Sequence, residues 1–594
     1  MTPSTILVIG CGPAGMFFCH AMETRRQEML AARQDVSGLP SVIALERASG
    51  PGGVWRAKRT NGSNHAVEKK KEVDRNEERE ATNMYEGLWT NGPKEAIEFF
   101  DYTYDEHFGH ALPVYMPRQP LLEYMLARVT RKCPDFFEKY ARFNVDVQSV
   151  AWNEETKKFD VTSKNLITGK SVVESYDKCI WGAGDNGRQK IPNSMVKMFR
   201  EDGFTGRMIH SSDTSNFEQD VNGKRVLLIG GGHSAEDLAL TAIKFGAAKI
   251  YISTRQEDNV VTYTGAWPGN KVKVLVEMQP VKVTENGKCV EFVEVDKKHG
   301  DVFVVSSGVI EMKIRNIDTV IFCTGYQSNL EMLSEELRKP FELDHAPFSL
   351  TLDVPSDWKM DETILPEHLK GIRPGTCLWY YSRVYYPDIY KWTLIDNPNM
   401  MYLFGDDCDH PILGVDVIAW LLVNICTGRY TLPPPEEQRQ LNKKQALQEM
   451  STYPYIRMEM DSNFYNQVMS TWDDYPATEQ FKLWDDYENA MVNYEHCIYA
   501  QVMRDGSYPL DIGTIDGLNE TGKHLVRMDF FGVDHRRGLN TKNKDENKWR
   551  TFRDITSEDA SKFKSLITGT AAVPLKKKWM EIDHVSDADI LKPE

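Results

Sequence analysis

Two glycine-rich turns in the chain have the residue spacing that binds the pyrophosphate of a dinucleotide. Each follows a short apolar run and carries small residues at its first, third and sixth positions: Gly10, Gly12 and Gly15 in the first turn, and Gly230, Gly232 and Ala235 in the second. The first small residue permits a tight turn after a strand, the second lets the backbone approach the phosphates, and the third lets helix and strand pack closely. The phosphates then lie at the positive end of the helix dipole. Two such turns make redox chemistry with two dinucleotides the first hypothesis.

The residue that ends the strand after each turn indicates which dinucleotide binds there. Glu46 ends the apolar run 41–45, and a carboxylate at this place binds a ribose hydroxyl of adenosine. It comes late because the polar stretch 25–40 is inserted before it. The run 249–254 ends instead on Arg255, whose cation suits the 2′-phosphate of NADP, with a solvated loop arginine as the alternative. We therefore expect FAD at the first turn and NADPH at the second.

Strands and helices must position these residues. The apolar runs 6–9 and 226–229 predict buried strands, and helices are expected to start over residues 16–22 and 237–244. Residues 140–184 alternate in a way that predicts a small antiparallel sheet leading into a buried strand.

The order of these elements predicts an insertion. The second unit, about residues 204–326, lies inside the span of the first, whose sheet would be completed by a later strand near residues 399–404. We predict an α/β fold with two Rossmann-like dinucleotide-binding domains, the NADPH domain inserted into the FAD domain, plus a C-terminal extension. The predicted boundaries are residues 1–203 and 331–432 for the two parts of the FAD-binding domain, 204–330 for the NADPH-binding domain and 433–594 for the extension, whose role the sequence leaves open.

Composition agrees with a multidomain enzyme. At 594 residues the chain exceeds what one hydrophobic core usually serves, and 41% apolar with 11% aromatic residues are enough to bury a large core. The formal charge of −16 argues against nucleic acid as a partner. The ten cysteines have neither C-x-x-C pairs nor metal spacing, so we expect reduced thiols and no metal, and a disulfide reductase is disfavoured.

The chain has no obvious targeting or membrane signal. Because the first strand is predicted almost at the N-terminus, we expect no signal peptide. The longest apolar window, 415–426, is too short to span a bilayer. The charged stretch 56–82 is expected to be a solvated surface insertion. We expect a cytoplasmic protein without a transmembrane segment, and the sequence is compatible with a homo-oligomer.

The segment Phe204-Thr205-Gly206-Arg207-Met208-Ile209-His210 resembles the Phe-x-Gly-x-x-x-His motif of class B flavin-dependent monooxygenases. Other segments resemble that family in the same order along roughly residues 1–430: Gly-Gly-Val-Trp at 52–55, a segment ending in Thr-Asn at 85–91, Cys-Thr-Gly-Tyr at 323–326, and the stretches 378–387 and 401–405. One departure is Thr214, which stands where the family motif continues to an aromatic residue. The resemblance identifies the chain as similar to flavin-containing monooxygenases.

The resemblance implies a mechanism. NADPH reduces FAD, the reduced flavoprotein reacts with dioxygen to form a C4a-hydroperoxide, and one oxygen atom passes to a nucleophilic nitrogen or sulfur of a small molecule. It also implies that Asn91 lies near the flavin, where its neutral amide donates hydrogen bonds without supplying a catalytic proton. His210 is expected to position the domains and not to act as a general base, and Trp55 to pack near the flavin. The remaining residues expected to bind cofactor are Gly53, Thr90, Ser234, Ser253, Thr324 and Gly325.

Two other functions compete with oxygenation of nitrogen or sulfur. Baeyer–Villiger oxidation of ketones uses the same cofactors, and its motif usually continues to tryptophan, which Thr214 does not match either. A redox-sensing or scaffolding flavoprotein that has lost oxygen transfer is motivated by Thr214 and the long C-terminal portion.

Overall fold

The computed structural model describes only part of the chain. The described residues are 3–56, 84, 88–90, 97, 99, 101–102, 104–109, 116–184, 187–255, 271–298, 302–327, 329–338, 388–403, 411–452, 572–573 and 584–592. Asn91, most of the charged stretch 56–82 and most of the predicted C-terminal extension lie outside these residues.

Strands and helices alternate through the described part of the chain. The helices are α1 (Pro13–Ala31), α2 (Tyr104–Phe108), α3 (Arg118–Thr130), α4 (Phe136–Tyr140), α5 (Asn193–Glu201), α6 (Phe217–Val221), α7 (His233–Lys244), α8 (Glu335–Arg338), α9 (Pro411–Cys426) and α10 (Pro435–Thr452). The strands are β1 (Thr5–Ile9), β2 (Ser41–Glu46), β3 (Ala141–Phe143), β4 (Val145–Asn153), β5 (Lys158–Asn165), β6 (Ser171–Tyr176), β7 (Lys178–Trp181), β8 (Arg188–Gln189), β9 (Arg207–His210), β10 (Arg225–Ile229), β11 (Lys249–Ser253), β12 (Val272–Leu275), β13 (Met278–Thr284), β14 (Cys289–Lys298), β15 (Val302–Arg315), β16 (Thr319–Phe322), β17 (Tyr326–Gln327), β18 (Ile389–Tyr390), β19 (Thr393–Leu394) and β20 (Met400–Tyr402).

A seven-stranded sheet has the order β18-β19-β20-β7-β1-β2-β3. The strands from β20 to β3 are parallel, and β18 and β19 are added antiparallel at one edge. The strand β1 is the middle one of the five parallel strands, and it is apolar from Ile6 to Ile9 because both faces are covered, with Ile6, Leu7 and Val8 fully buried. Helices α1 and α9 pack together in the core on one side of this sheet.

A five-stranded parallel sheet has the order β12-β11-β10-β16-β9. All its strands lie in the chain between β7 and β20, which are neighbours in the seven-stranded sheet. The antiparallel sheet β13-β14-β15 packs against it, since Phe292 and Ile314 share one buried cluster with Leu227 and Tyr251. Parallel sheets with covering helices make the fold α/β, as predicted.

Smaller elements complete the described structure. The strands β4, β5 and β6 form the antiparallel sheet expected before β7, and the short strands β8 and β17 pair where the chain passes between the two larger sheets. Among the described residues, none of the helices combines the length and apolar character needed to cross a bilayer. In the same residues, no group of three or more His, Cys, Asp or Glu side chains is placed to bind a metal ion.

Candidate functional site

The first turn connects β1 to α1 in a space that admits only glycine at two positions. Gly10 has a φ of +95°, and its N–H donates to the carbonyl of Leu45 over 2.8 Å. A Cβ on Gly15 would lie 2.1 Å from the carbonyl oxygen of Gly10. The helix can start this close to the strand only because residue 15 has no side chain.

A second glycine pair lies against this turn. Gly53 has a φ of +53°, and a Cβ there would lie 2.9 Å from the Cα of Gly12. The N–H of Gly52 donates to the carbonyl of Cys11 over 2.9 Å. Gly12 is the N-cap of α1 and has no side chain to cap the helix, so the first backbone N–H groups of α1 can bind an anionic ligand. The predicted residues Gly10, Gly12, Gly15 and Gly53 therefore form one cradle.

Glu46 ends β2 beside this cradle. One carboxylate oxygen accepts from the N–H of Cys11 over 2.7 Å, and the other accepts from the N–H of Ala48 over 2.8 Å. A carboxylate has about four acceptor positions, so two remain for the hydroxyls of a ribose. The backbone contacts aim the side chain at the turn.

Trp55 and Thr90 are connected by a residue that the sequence analysis missed. The N–H of Thr90 donates to the carbonyl of Met116 over 2.9 Å, and its hydroxyl accepts from the N–H of Met116 over 3.0 Å. Two residues later, the buried guanidinium of Arg118 donates to the carbonyl of Trp55. Arg118 thereby ties the Gly53–Trp55 segment to α3. In the sequence, the only feature that could have pointed to this role is that Arg118 begins a largely apolar helix.

The second turn, between β10 and α7, is tight at one glycine and open at another. Gly230 has a φ of +109°, and a Cβ there would lie 2.1 Å from the carbonyl oxygen of Cys323 at the end of β16. Gly232 caps α7 and is exposed, and none of the described residues has a heavy atom within 4 Å of an added Cβ. Ala235 is fully buried and Ser234 half-buried. The turn thus presents an uncovered helix N-terminus, which fits a pyrophosphate.

The residues at the end of β11 have different surroundings. The buried hydroxyl of Ser253 donates to the carbonyl of Met278 over 2.7 Å, so its donor fastens β11 to β13. Arg255 is exposed two residues beyond the strand end. The role predicted for Arg255, binding the 2′-phosphate, stays a prediction.

His210 is completely buried at the end of β9. Its Nδ1 accepts from the N–H of Ser212 over 3.2 Å, and its Nε2 lies 3.1 Å from the carbonyl oxygen of Gly325. Since a backbone N–H only donates and a carbonyl only accepts, the proton is on Nε2. The ring also meets the ring of Tyr326 edge-on, 5.3 Å between centroids.

His210 therefore contacts the passage between the two larger sheets. The carbonyl of Gly325 also accepts from the N–H of Lys190 over 2.9 Å, and the hydroxyl of Thr324 donates to the carbonyl of Lys190. These bonds join the outgoing strand β8 to the returning strand β17. Thr324 and Gly325 come just after β16, and the preceding residue, Cys323, lies against Gly230 of the second turn. This short segment therefore connects the second turn to the passage between the two larger sheets.

Buried charges fasten the helix that follows the first turn. Burial alone would raise the pKa of Glu23, but hydrogen bonds from Arg26, Lys139 and Tyr140 outweigh it and lower the pKa to about 2. Sequence reasoning missed this carboxylate because its partners on α4 are more than a hundred residues away.

A second buried network joins α1, α3 and α9. The Arg128 guanidinium donates to both carboxylate oxygens of Asp416, over 2.7 and 2.9 Å, and to Asp101 over 2.8 Å. Burial raises the pKa of Asp101, but the charge of Arg128 and the His20 ring 3.9 Å away bring this pKa well below its usual range. Burial and Arg128 lower the pKa of His20. Asp416, the charged residue of the apolar helix α9, is therefore buried and paired inside the protein.

The thiols near the two turns are buried, and burial disfavours their thiolate forms. Burial raises the pKa of Cys11, in the first turn, well above its usual value, and burial raises the pKa of Cys323 as well. Thiol–disulfide chemistry needs thiolates. What the two turns offer is two separate anion-binding helix starts, each at the carboxyl end of a parallel sheet, where α/β proteins bind nucleotides.

Comparison with known proteins agrees with this geometry. The family model for flavin-binding monooxygenase-like proteins matches residues 36–294, which include β2, His210 and the second turn. Over these residues, which are less than half of the chain, it resembles flavin-binding monooxygenase-like proteins. The match confirms the predicted resemblance and the predicted enzyme class, a flavin monooxygenase.

Curated relatives of the monooxygenase match it over most of its length. It is 26% identical over 514 residues to a trimethylamine monooxygenase of Methylocella silvestris, covering 85% of this chain and 94% of the relative. It is 28% identical over 431 residues to a trimethylamine monooxygenase of Roseovarius nubinhibens, covering 72% of this chain and 76% of the relative.

Two solved structures share the fold of the monooxygenase. Tmm from a Pelagibacter species aligns with a TM-score of 0.56 at 23% identity, covering 83% of this chain and 89% of that structure. The S-allyl-L-cysteine S-oxygenase of Allium sativum aligns with a TM-score of 0.52 at 16% identity, covering 89% of this chain and 97% of that structure.

Proposed function

We propose that this monooxygenase uses FAD and NADPH to transfer one atom of dioxygen to the nitrogen of a small amine. The observation that carries the substrate class is the similarity to trimethylamine monooxygenases over 85% of the chain. The cofactors are FAD and NADPH. The flavin, once reduced by NADPH, supplies the oxygen-activating chemistry, which no protein side chain has.

FAD belongs at the first turn. The turn closes tightly because an added Cβ on Gly10, Gly15 or Gly53 would lie 3.0 Å or less from a backbone atom. Beside it, Glu46 has acceptors left for the adenosine ribose. Arg118 stabilises the Trp55 segment beside this site. The seven-stranded sheet is therefore the FAD-binding domain.

NADPH belongs at the second turn. Gly232 is uncovered at the start of α7, and Ala235 allows close packing behind it. Arg255 binds the 2′-phosphate at the end of β11. The five-stranded sheet is therefore the NADPH-binding domain, inserted between β7 and β20 of the FAD-binding domain. Residues 433–594 are a C-terminal extension to this pair.

His210 is a positioning residue in this proposal. Both ring nitrogens are engaged by backbone groups, so the side chain has no free position from which to take a proton from substrate. Its bond to the carbonyl of Gly325 fixes the backbone where the chain passes between the two domains. This bond therefore determines how the NADPH-binding domain meets the FAD-binding domain. Asn91, proposed to hydrogen-bond near the flavin, lies outside the described residues, and the oxygen-transfer route implied by the family stays a prediction.

The proposal is tested with purified, flavin-loaded enzyme given NADPH, dioxygen and one substrate at a time. We expect trimethylamine to yield its N-oxide with one NADPH consumed per product, and a dialkyl sulfide and a cyclic ketone to react more slowly. Preferred ester formation from the ketone would establish Baeyer–Villiger oxidation instead. NADPH oxidation that yields only hydrogen peroxide with all three substrates would favour the redox-sensing alternative. Cytoplasmic location and a homo-oligomer stay predictions of the sequence.

A further inference from the structure

A short segment from the far end of the chain, residues 584–592, packs against the five-stranded and β13-β14-β15 sheets. We call it the docking segment. Val585 is buried in the same cluster as Tyr251, Phe292 and Ile314, with Ile590 packed against that cluster. Over 130 residues separate the segment from α10, so nothing local to it explains this position.

The docking segment covers a strand edge. Lys313 of β15 faces Glu291 of β14 on one side, while on the other side its N–H donates to the carbonyl of Leu591 over 2.8 Å. The N–H of Leu591 returns a bond of 3.0 Å to the carbonyl of Lys313. This reciprocal pair is the pattern of an antiparallel sheet, so the segment satisfies an edge that would otherwise be open to another chain.

The docking segment also meets a basic row at the amino ends of the parallel strands. The members of this row are Arg225 of β10, Lys249 of β11, and Lys271 and Lys273 at the start of β12. Because the strands are parallel, their amino ends lie together. The row is therefore at the end of the sheet opposite the second turn, away from the proposed NADPH site.

Two aspartates of the segment contact this row in different surroundings. Asp589 lies 3.3 Å from Lys249 and 3.9 Å from Arg225, and its side chain is 20% exposed. The same carboxylate accepts from the N–H of Ser586 over 2.9 Å in a capping box. Asp587 lies 2.6 Å from Lys273, but its side chain is 90% exposed. Exposed pairs contribute little, whereas a partly buried pair that also caps a turn contributes more.

We propose that this face is a docking site for an acidic peptide with an apolar anchor, and that residues 584–592 of the same chain are its occupant. Docking seals the edge of β15 and offsets part of the positive charge of the basic row, so the far end of the chain stabilises the inserted domain. Charge complementarity, the reciprocal Lys313–Leu591 bonds and the burial of Val585 each support this occupant. The role is separate from the proposed catalysis.

The test compares Asp589→Ala with Asp587→Ala in the full chain, because both remove one negative charge from the same segment. Hydrogen exchange is followed by mass spectrometry at the amides of Lys313 and Leu591, whose bonds exist only in the docked state. We expect Asp589→Ala to accelerate exchange at both amides about tenfold, and Asp587→Ala to leave it within about twofold of wild type.

Val585→Ala tests the apolar anchor independently of charge and should also accelerate exchange at Lys313. Equal effects of the two aspartate variants, or unchanged exchange at Lys313 in both Asp589→Ala and Val585→Ala, would overturn the proposal. Docking within one chain predicts that exchange stays constant on about tenfold dilution of the protein. Faster exchange on dilution would place the segment on a second copy and overturn the assignment of the occupant.

Discussion

The first and second turns have nearly the same sequence pattern but different surroundings. Around the first, Gly53 lies against Gly12, and the Glu46 carboxylate is bonded to the turn backbone. Around the second, Gly230 touches the end of β16 while Gly232 faces open space, and the cation Arg255 is exposed. An enclosed cradle suits a cofactor that stays bound through many turnovers. An open one suits a cofactor that must exchange.

The largest expected difference comes from adding one methyl group to each turn. Gly15→Ala would place its Cβ 2.1 Å from a backbone oxygen that cannot move without displacing β1. We expect it to lower the free energy of unfolding by at least about 3 kcal/mol and to reduce bound flavin per chain. Gly232→Ala places its new Cβ more than 4 Å from every atom of the described part of the chain, so it should change the free energy of unfolding by no more than about 0.5 kcal/mol. Urea melts and flavin absorbance measure both, and similar losses in the two variants would contradict the contrast.

Arg255→Ala tests the cofactor assignment of the open turn. Loss of a charged hydrogen bond costs about 1.5–3 kcal/mol, so the KM for NADPH should rise about ten- to hundredfold while that for NADH stays nearly constant. Lys282→Ala, which removes another exposed cation from the same part of the chain, is the control and should change neither KM. Steady-state kinetics with both nucleotides measure this. Equal increases in the KM values for NADPH and NADH would contradict the assignment of Arg255 to the 2′-phosphate site.

His210→Phe tests how the two regions are connected. The ring contact with Tyr326 is retained, but the N–H of Ser212 loses its acceptor and the carbonyl of Gly325 loses a donor. We expect the free energy of unfolding to fall by about 1–3 kcal/mol and kcat to fall, with the shape of the pH profile of kcat/KM unchanged. His210→Gln, which keeps one donor, should recover part of the loss. A missing limb in the pH profile of the Phe variant would instead make His210 an acid or base.

The smallest effect concerns Glu23, which fastens the helix of the enclosed turn. Its pKa is about 2, below the usual 4.5, so its stabilisation is complete above about 4.5 and is lost as the pH falls toward 2. Glu23→Gln should lower stability at neutral pH and flatten the decline between these values. The exposed Glu155→Gln variant should keep the wild-type decline. Thermal melts across this range measure the slopes, and identical slopes in wild type and Glu23→Gln would refute the assignment.

Much of the fold was predictable because its signals are local. The runs 6–9 and 226–229 are β1 and β10 apart from their first residues, and a strand near 399–404 does join the seven-stranded sheet. The helices begin at Pro13 and His233, three or four residues before the expected starts. Small and polar residues fill the first helical turn next to the predicted phosphate positions, so hydrophobic periodicity begins only later.

The amino-acid sequence by itself determined the two turns, the strands that precede them and the resemblance to flavin monooxygenases, because a glycine at φ > 0 and an apolar run act on their immediate neighbours. Only the tertiary structure decided what encloses each turn. Arg118 reaches Trp55 across 63 residues, His210 reaches Gly325 across 115, and Asp589 reaches Lys249 across 340. Contacts between residues so distant arise from the packing of whole sheets and helices, and no pattern within a short window specifies them.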